Sequence, residues 1–196
     1  MSPVIVLHAR LPGHFDRQRA DALLLRLPYA RRLELERREA GARVASLAGL
    51  ELVLAGTRRL PAGPVPPSRW RFPMGAKPYF DGGPFFSVSH TSTRVAVALS
   101  ADGEVGIDLE DLCPDEAERD VRHRELRRWT ATEATLKALG ADLRAVAGVR
   151  LAPDLETAEL AGRRVHLCAL DFGADAVAQL ATAEPVIALS IEETAL

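Results

Sequence analysis

Cysteine is scarce in this chain of 196 residues, with only Cys113 and Cys168. Neither stands in a CxxC or Cys/His spacing, so neither a zinc site nor a disulfide framework is indicated. Both read as incidental or buried thiols. Lysine is as rare, at Lys77 and Lys137 alone, while arginine crowds the first 75 residues. No apolar run approaches the roughly 20 residues of a membrane span. The N-terminus has no charged stretch leading into an apolar one, the mark of a secretory signal. A cytoplasmic protein with no membrane partner is expected. No GxxxxGK[ST] phosphate loop occurs. The net charge is −2, so no global basic field recruits nucleic acid. With 47% hydrophobic and 27% charged residues, the composition is that of an ordinary globular protein. The length suits one large domain or two small ones.

What is present centres on Val105-Gly106-Ile107-Asp108-Leu109-Glu110. Apolar and non-apolar positions alternate, the pattern of a strand with one buried face. Asp108 and Glu110 share the other face, roughly 7 Å apart at ~3.3 Å per residue. Two carboxylates that close repel unless a cation lies between them, and hard oxygen sites suit Mg²⁺ or Mn²⁺. Gly106 precedes them on that face and is expected to leave room for a ligand. The plain alternative is an acidic, solvated strand face.

The rest of the chain supplies the neighbours. Val4 to Leu11 reads as a strand closed by Pro12-Gly13. Asp16 to Leu27 reads as a short helix, and Tyr29 to Leu54 as a longer one. On the longer helix Leu33, Ala40, Val44, Leu47 and Leu54 form a stripe. Arg32 and Arg43 flank it, either as a solvated basic edge or as phosphate contacts. Pro78 keeps Lys77 out of helical geometry. Residues 85–90, 94–100 and 104–110 read as a meander, with Asp102-Gly103 as a hairpin signal. That arrangement brings Ser89 and His90 near the two acids. Pro114 suits a first helical turn, and Asp115 to Arg128 reads as charged and solvated. Trp129, Glu133 and Lys137 are four apart and stack on one helical face, stopped by Gly140. Thr130-x-x-Glu133 also matches a capping box, and Glu133 with Lys137 also fits a plain surface ion pair. Two more strands are expected at about 164–171 and 185–191. His8, His14, His123 and His166 stand in no motif and are assigned nothing.

Four of these stretches occur in a telling order: Lys77-Pro78-Tyr79, Phe85-x-Ser87-Val88-Ser89-His90, Val105-Gly106-Ile107-Asp108-x-Glu110 and Trp129-x-x-x-Glu133-Ala134-x-x-Lys137. Together they resemble the signature of the 4′-phosphopantetheinyl transferases of the surfactin-synthetase-activating type. The resemblance covers about residues 75 to 140, and the basic long helix with Arg43 is similar too. It implies an α+β fold of two similar α/β halves related by a pseudo-twofold. Each half has a small antiparallel sheet on a long helix, here residues 1–101 and 102–196. It implies a monomer that moves 4′-phosphopantetheine from coenzyme A onto a serine of an acyl or peptidyl carrier protein. Adenosine 3′,5′-bisphosphate is released.

The family's roles fall on matching positions. Asp108, Glu110 and Glu133 would hold Mg²⁺, and Glu133 would act as base. Lys137 would neutralise phosphate and the leaving group. Arg43, Lys77, Ser89 and His90 would contact coenzyme A phosphates. The sequence also departs from the pattern. Thr132 stands where the family usually has lysine, and Gly75-Ala76-Lys77 replaces an adjacent Gly-Lys. Only eighteen residues separate Glu110 from Trp129, and relatives carry a longer segment that helps shape the carrier contact. Two other readings are a coenzyme A- or carrier-binding protein that has lost catalysis, and another Mg²⁺-dependent phosphotransfer.

Overall fold

The strand Val4–Arg10 (β1) is apolar on both faces because both faces are covered. Ile5, Leu7 and Ala9 pack toward helices, while Val4 and Val6 pack toward a second sheet. In the computed structural model, which describes residues 2–112 and 119–196, this double covering sets the architecture. Three helices follow: Arg17–Leu24 (α1), Tyr29–Glu36 (α2) and Ala40–Thr57 (α3). Asp16 caps α1 by accepting from the Arg19 N–H, which satisfies an otherwise unpaired donor of the first turn. A two-stranded ribbon comes next, Trp70–Arg71 (β2) with Tyr79–Phe80 (β3). It is followed by Phe85–His90 (β4), Arg94–Ser100 (β5) and Val105–Asp111 (β6). The chain then forms the long helix Arg119–Leu139 (α4) and the strands Arg150–Leu151 (β7), Thr157–Leu160 (β8), Arg163–Leu170 (β9), Ala176–Thr182 (β10) and Leu189–Glu193 (β11).

The first sheet has the order β11-β1-β5-β4 and the second β6-β10-β9-β8-β7. β5 shows how the layers are sorted. Val95, Val97 and Leu99 join the cluster under α1 and α3, and the smaller Ala96 and Ala98 face the second sheet. On β6, Val105, Ile107 and Leu109 return that contact. α3 packs on the first sheet and α4 on the second. The layers therefore run helix, sheet, sheet, helix, a mixed α+β architecture.

Several expectations are corrected. β6 does not continue a meander. β5 already has β1 on one edge and β4 on the other, so the chain crosses to the second sheet after Ser100. β6 pairs with β10 instead. The expected 29–54 helix is two helices, parted where Glu39 turns extended at ψ 151°. Of the expected stripe Leu47 is buried, Leu33, Val44 and Leu54 are half-buried, and Ala40 is exposed. α3 is also long and apolar enough to span a membrane, but it serves here as the core helix of the first layer. The helix expected from Trp129 is already formed ten residues earlier, at Arg119, where the described residues resume. Residues 176–182 form a strand, and residues 185–188 precede β11 rather than belonging to one. The first sheet is mixed, because β11 pairs with β1 in parallel. Cys113 and Pro114 lie outside the described residues.

Candidate active site

The acidic face of β6 looks at α4, not at water. Four helical residues advance about 6 Å and two strand residues about 6.6 Å, so the two spacings stay in step. Trp129 hydrogen-bonds Glu110 at one end, and Lys137 meets Asp108 nearer the other. Glu133 lies between them on the helix. Gly106 is where the two backbones touch. A Cβ there would come 2.0 Å from the Ala134 carbonyl oxygen and 2.4 Å from the Ala138 nitrogen. The missing side chain thus admits α4, and the expectation of ligand room at Gly106 is corrected.

β4 meets β6 through side chains. The N–H groups of Ile107 and Leu109 donate to Ser87 Oγ and Ser89 Oγ at 3.1 and 3.3 Å. Beyond them, Asp111 accepts from the hydroxyls of Thr91, Ser92 and Thr93. This seam of hydroxyls sets the first sheet against the second and carries Ser89 to the acids. Farther along the seam, buried Arg94 pairs with Asp175, and His8 stacks on Phe172 at 4.1 Å. These contacts tie the β9–β10 turn to the first sheet.

Asp108 is 3% exposed. Its Oδ1 accepts from Ser89 Oγ at 2.8 Å and from Lys137 Nζ at 2.5 Å. Its Oδ2 is buried without a hydrogen-bond partner. Lys137 Nζ also donates to Ser89 Oγ at 3.2 Å and stands 3.6 Å from Glu133 Oε2. Burial, then the charge of Asp108, pushes the carboxyls of Glu110 and Glu133 above the usual range. Lys137 acts against that rise at both, and the Trp129 hydrogen bond does so at Glu110. The Glu133 carboxylate is not spent on a helix end. Thr130 and Glu133 are mid-helix, and the Thr130 hydroxyl donates to the Leu126 carbonyl. The capping-box alternative is thereby removed.

Lys77 sits in the loop before β3, as Pro78 implied. Its ammonium donates to the carbonyls of Val105 and Lys137 at 2.6 and 3.0 Å. Burial lowers its pKa to about 8. A cleft of about 290 Å³ opens beside it, lined by Lys77, Pro78, Ser87, Val88, Lys137 and Asp142 among others. A second hollow of about 630 Å³ shares Gly75, Ala76 and Pro78 with the first and has Arg31 and Arg38 on its wall. His90 is exposed at the end of β4. Arg43 lines a different cleft, beside α1 with His14, Arg17 and Leu47.

The residues present suit a hard divalent cation. The charge of Asp108 raises the pKa of both Glu110 and Glu133, a repulsion that a cation would relieve. Among the described residues no three His, Cys, Asp or Glu side chains are gathered tightly enough to hold a metal as they stand. The Lys137 ammonium is the cation that Asp108 and Glu133 meet. Sequence reasoning missed Ser87, whose hydroxyl holds β6, and Gln179, which lies opposite Asp108 on β10. The signal for Gln179 was a lone amide amid Ala176-Val177-Ala178 and Leu180-Ala181. A comparison with protein-family models gives no match, and a comparison with curated proteins gives none either.

Proposed function

We propose that the chain is a Mg²⁺-dependent 4′-phosphopantetheinyl transferase. It would act on coenzyme A and on a serine of an acyl or peptidyl carrier protein, as a cytoplasmic monomer. The observation that carries this reading is that Lys137 of α4 joins Asp108 of β6 to Glu133, with Glu110 on the same strand face. Those four come from two of the four ordered motifs, and Ser89 and Lys77, from the other two, adjoin them. One long helix on each sheet supports the two-halved, pseudo-twofold fold of that family.

Attack on a pyrophosphate adds negative charge in flight, so positioning and charge neutralisation carry the chemistry. Asp108, Glu110 and Glu133 would hold Mg²⁺, which when bound offsets the pyrophosphate charge. Glu133, half-buried and with a raised pKa, takes the proton of the attacking serine hydroxyl, directly or through a water. The serine oxygen bonds to the β-phosphorus, and the bond from that phosphorus to the adenosine bisphosphate oxygen breaks. Lys137 leaves Asp108 for the leaving phosphate. Lys77, at the cleft beside it, faces the same phosphates, and Arg31 and Arg38 extend the basic wall. Ser89 holds Asp108 in place. His90 and Arg43 stand farther out and would meet other parts of the nucleotide.

Incubation with coenzyme A, Mg²⁺ and an apo carrier protein should add one phosphopantetheine arm to the carrier by intact mass. Asp108→Ala should abolish the gain in a protein that stays folded. Nucleotide binding without mass gain on any carrier in a panel would instead favour a binding protein that has lost catalysis.

A further inference from the structure

We propose that Gln179 is a positioning residue for Asp108, its side-chain Nε2 donating to Asp108 Oδ2. Backbone geometry brings the two together. Ile107 and Leu109 turn their N–H groups toward β4. Asp108, between them, therefore turns its own toward β10. Its partner there is Gln179. Directly opposed residues on antiparallel strands carry their side chains on one face, with Cβ atoms about 5 Å apart. That face lies under α4, where Ala181 of β10 packs with Ala134 and Ala138.

Burial makes the pair consequential. Gln179 is 1% exposed and Asp108 is 3% exposed. Gln179 Oε1 and Asp108 Oδ2 are both buried and both without a hydrogen-bond partner. A buried acceptor left unpaired forfeits the hydrogen bonds it made to water. An amide carries a donor and an acceptor of nearly equal shape. A half-turn about its last torsion puts Nε2 in the place of Oε1 within the same volume. That turn gives Oδ2 a donor. With Oδ1 held by Ser89 and Lys137, the carboxylate would then be fixed at both oxygens. Its orientation toward Glu110 and Glu133 would be set from behind, by a side chain that touches no substrate.

The consequence for function rests on reading the three acids as a divalent-cation site; the hydrogen bond itself does not. Two measurements on the full chain separate them. In the ¹⁵N-labelled protein without metal, the Gln179 side-chain amide, assigned through Gln179→Met, should exchange slowly with solvent. It should also shift on Asp108→Asn. Free exchange with no shift overturns the hydrogen bond. Mn²⁺ titration followed by electron paramagnetic resonance should then show affinity falling about 10–100-fold in Gln179→Met. Equal Mn²⁺ affinity in wild type and variant overturns the positioning role. A protected, shifted amide in a wild type that binds no Mn²⁺ supports the hydrogen bond and defeats the cation reading. Should Gln179→Met not fold, Gln179→Asn keeps the amide, shortens its reach, and carries the same expectation.

Discussion

Lys137 and Asp108 meet across α4 and β6 at 2.5 Å, so in the function we propose the ammonium stands where the divalent cation would enter. Removing one partner of a buried pair leaves the other uncompensated, at a cost of several kcal/mol. Lys137→Met should therefore lower stability without metal by about 3 kcal/mol. Mn²⁺ should restore more stability to this variant than it adds to wild type, because no ammonium competes for Asp108. Thermal melts of both proteins, with and without Mn²⁺, check this. An equal Mn²⁺ response in the two would separate Lys137 from the cation site.

Gly106→Ala tests the contact between α4 and β6. The new methyl would overlap the backbone of Ala134 and Ala138, and backbone does not move aside as a long side chain does. Overpacking of this kind costs about 1–3 kcal/mol, occasionally more, and the upper end is expected here. The shift should also separate Asp108 from Glu133. Urea unfolding gives the first number, and the loss of Mn²⁺ binding reports the second.

The raised carboxyls set a pH dependence of definite sign. Glu110 and Glu133 hold protons more tightly folded than unfolded, each lifted above the ordinary 4.5. Folding takes up protons in the window above 4.5, so their contribution to stability falls as pH climbs through it. Glu34 and Asp175, held low, act in the opposite sense. The difference between wild type and Glu133→Gln isolates the effect. Wild type should lose stability relative to the variant as pH rises from 4.5. Saturating Mg²⁺ should remove that loss. Melting temperature against pH, for both proteins, is the measurement.

Lys77 offers a direct titration. With lysine only at positions 77 and 137, ¹³C-ε labelling gives two side-chain signals, and Lys77→Met assigns them. The Lys77 signal should show a midpoint near 8, shifted by burial and then by Lys137 against the pull of Glu104. Because the folded value lies below the ordinary 10.5, the contribution of Lys77 to stability should rise between about 8 and 10.5. A midpoint near 10.5 would show that water reaches the ammonium.

The site was more legible in the sequence than the topology. Alternation in residues 105–110 fixed which side chains share a face, and the spacing of Trp129, Glu133 and Lys137 fixed another face. Matching the two required only that they pack. Which edge β6 would join was not local information, since it depended on β1 arriving from the far end of the chain to occupy β5. The break between α2 and α3 has no proline or glycine to announce it. It is spanned by Arg38, which pairs with Glu34 and donates to Ser46 Oγ. β10 was hidden by its alanines, which carry little strand signal: Ala176 and Ala178 pack toward the first sheet, and Ala181 lies in the cramped layer beneath α4. Gly106 looked like space for a ligand because nothing local distinguishes an open face from one about to be covered by a helix.

β11 lies in parallel against β1. Residues read as part of the second half thereby complete the border of the first. A fragment ending near Ala101 would present Val4–Arg10 with one flank of N–H and C=O groups unmatched, an open template for another chain. Cutting the protein at its apparent midpoint should thus yield a sticky, self-associating piece rather than a free-standing module.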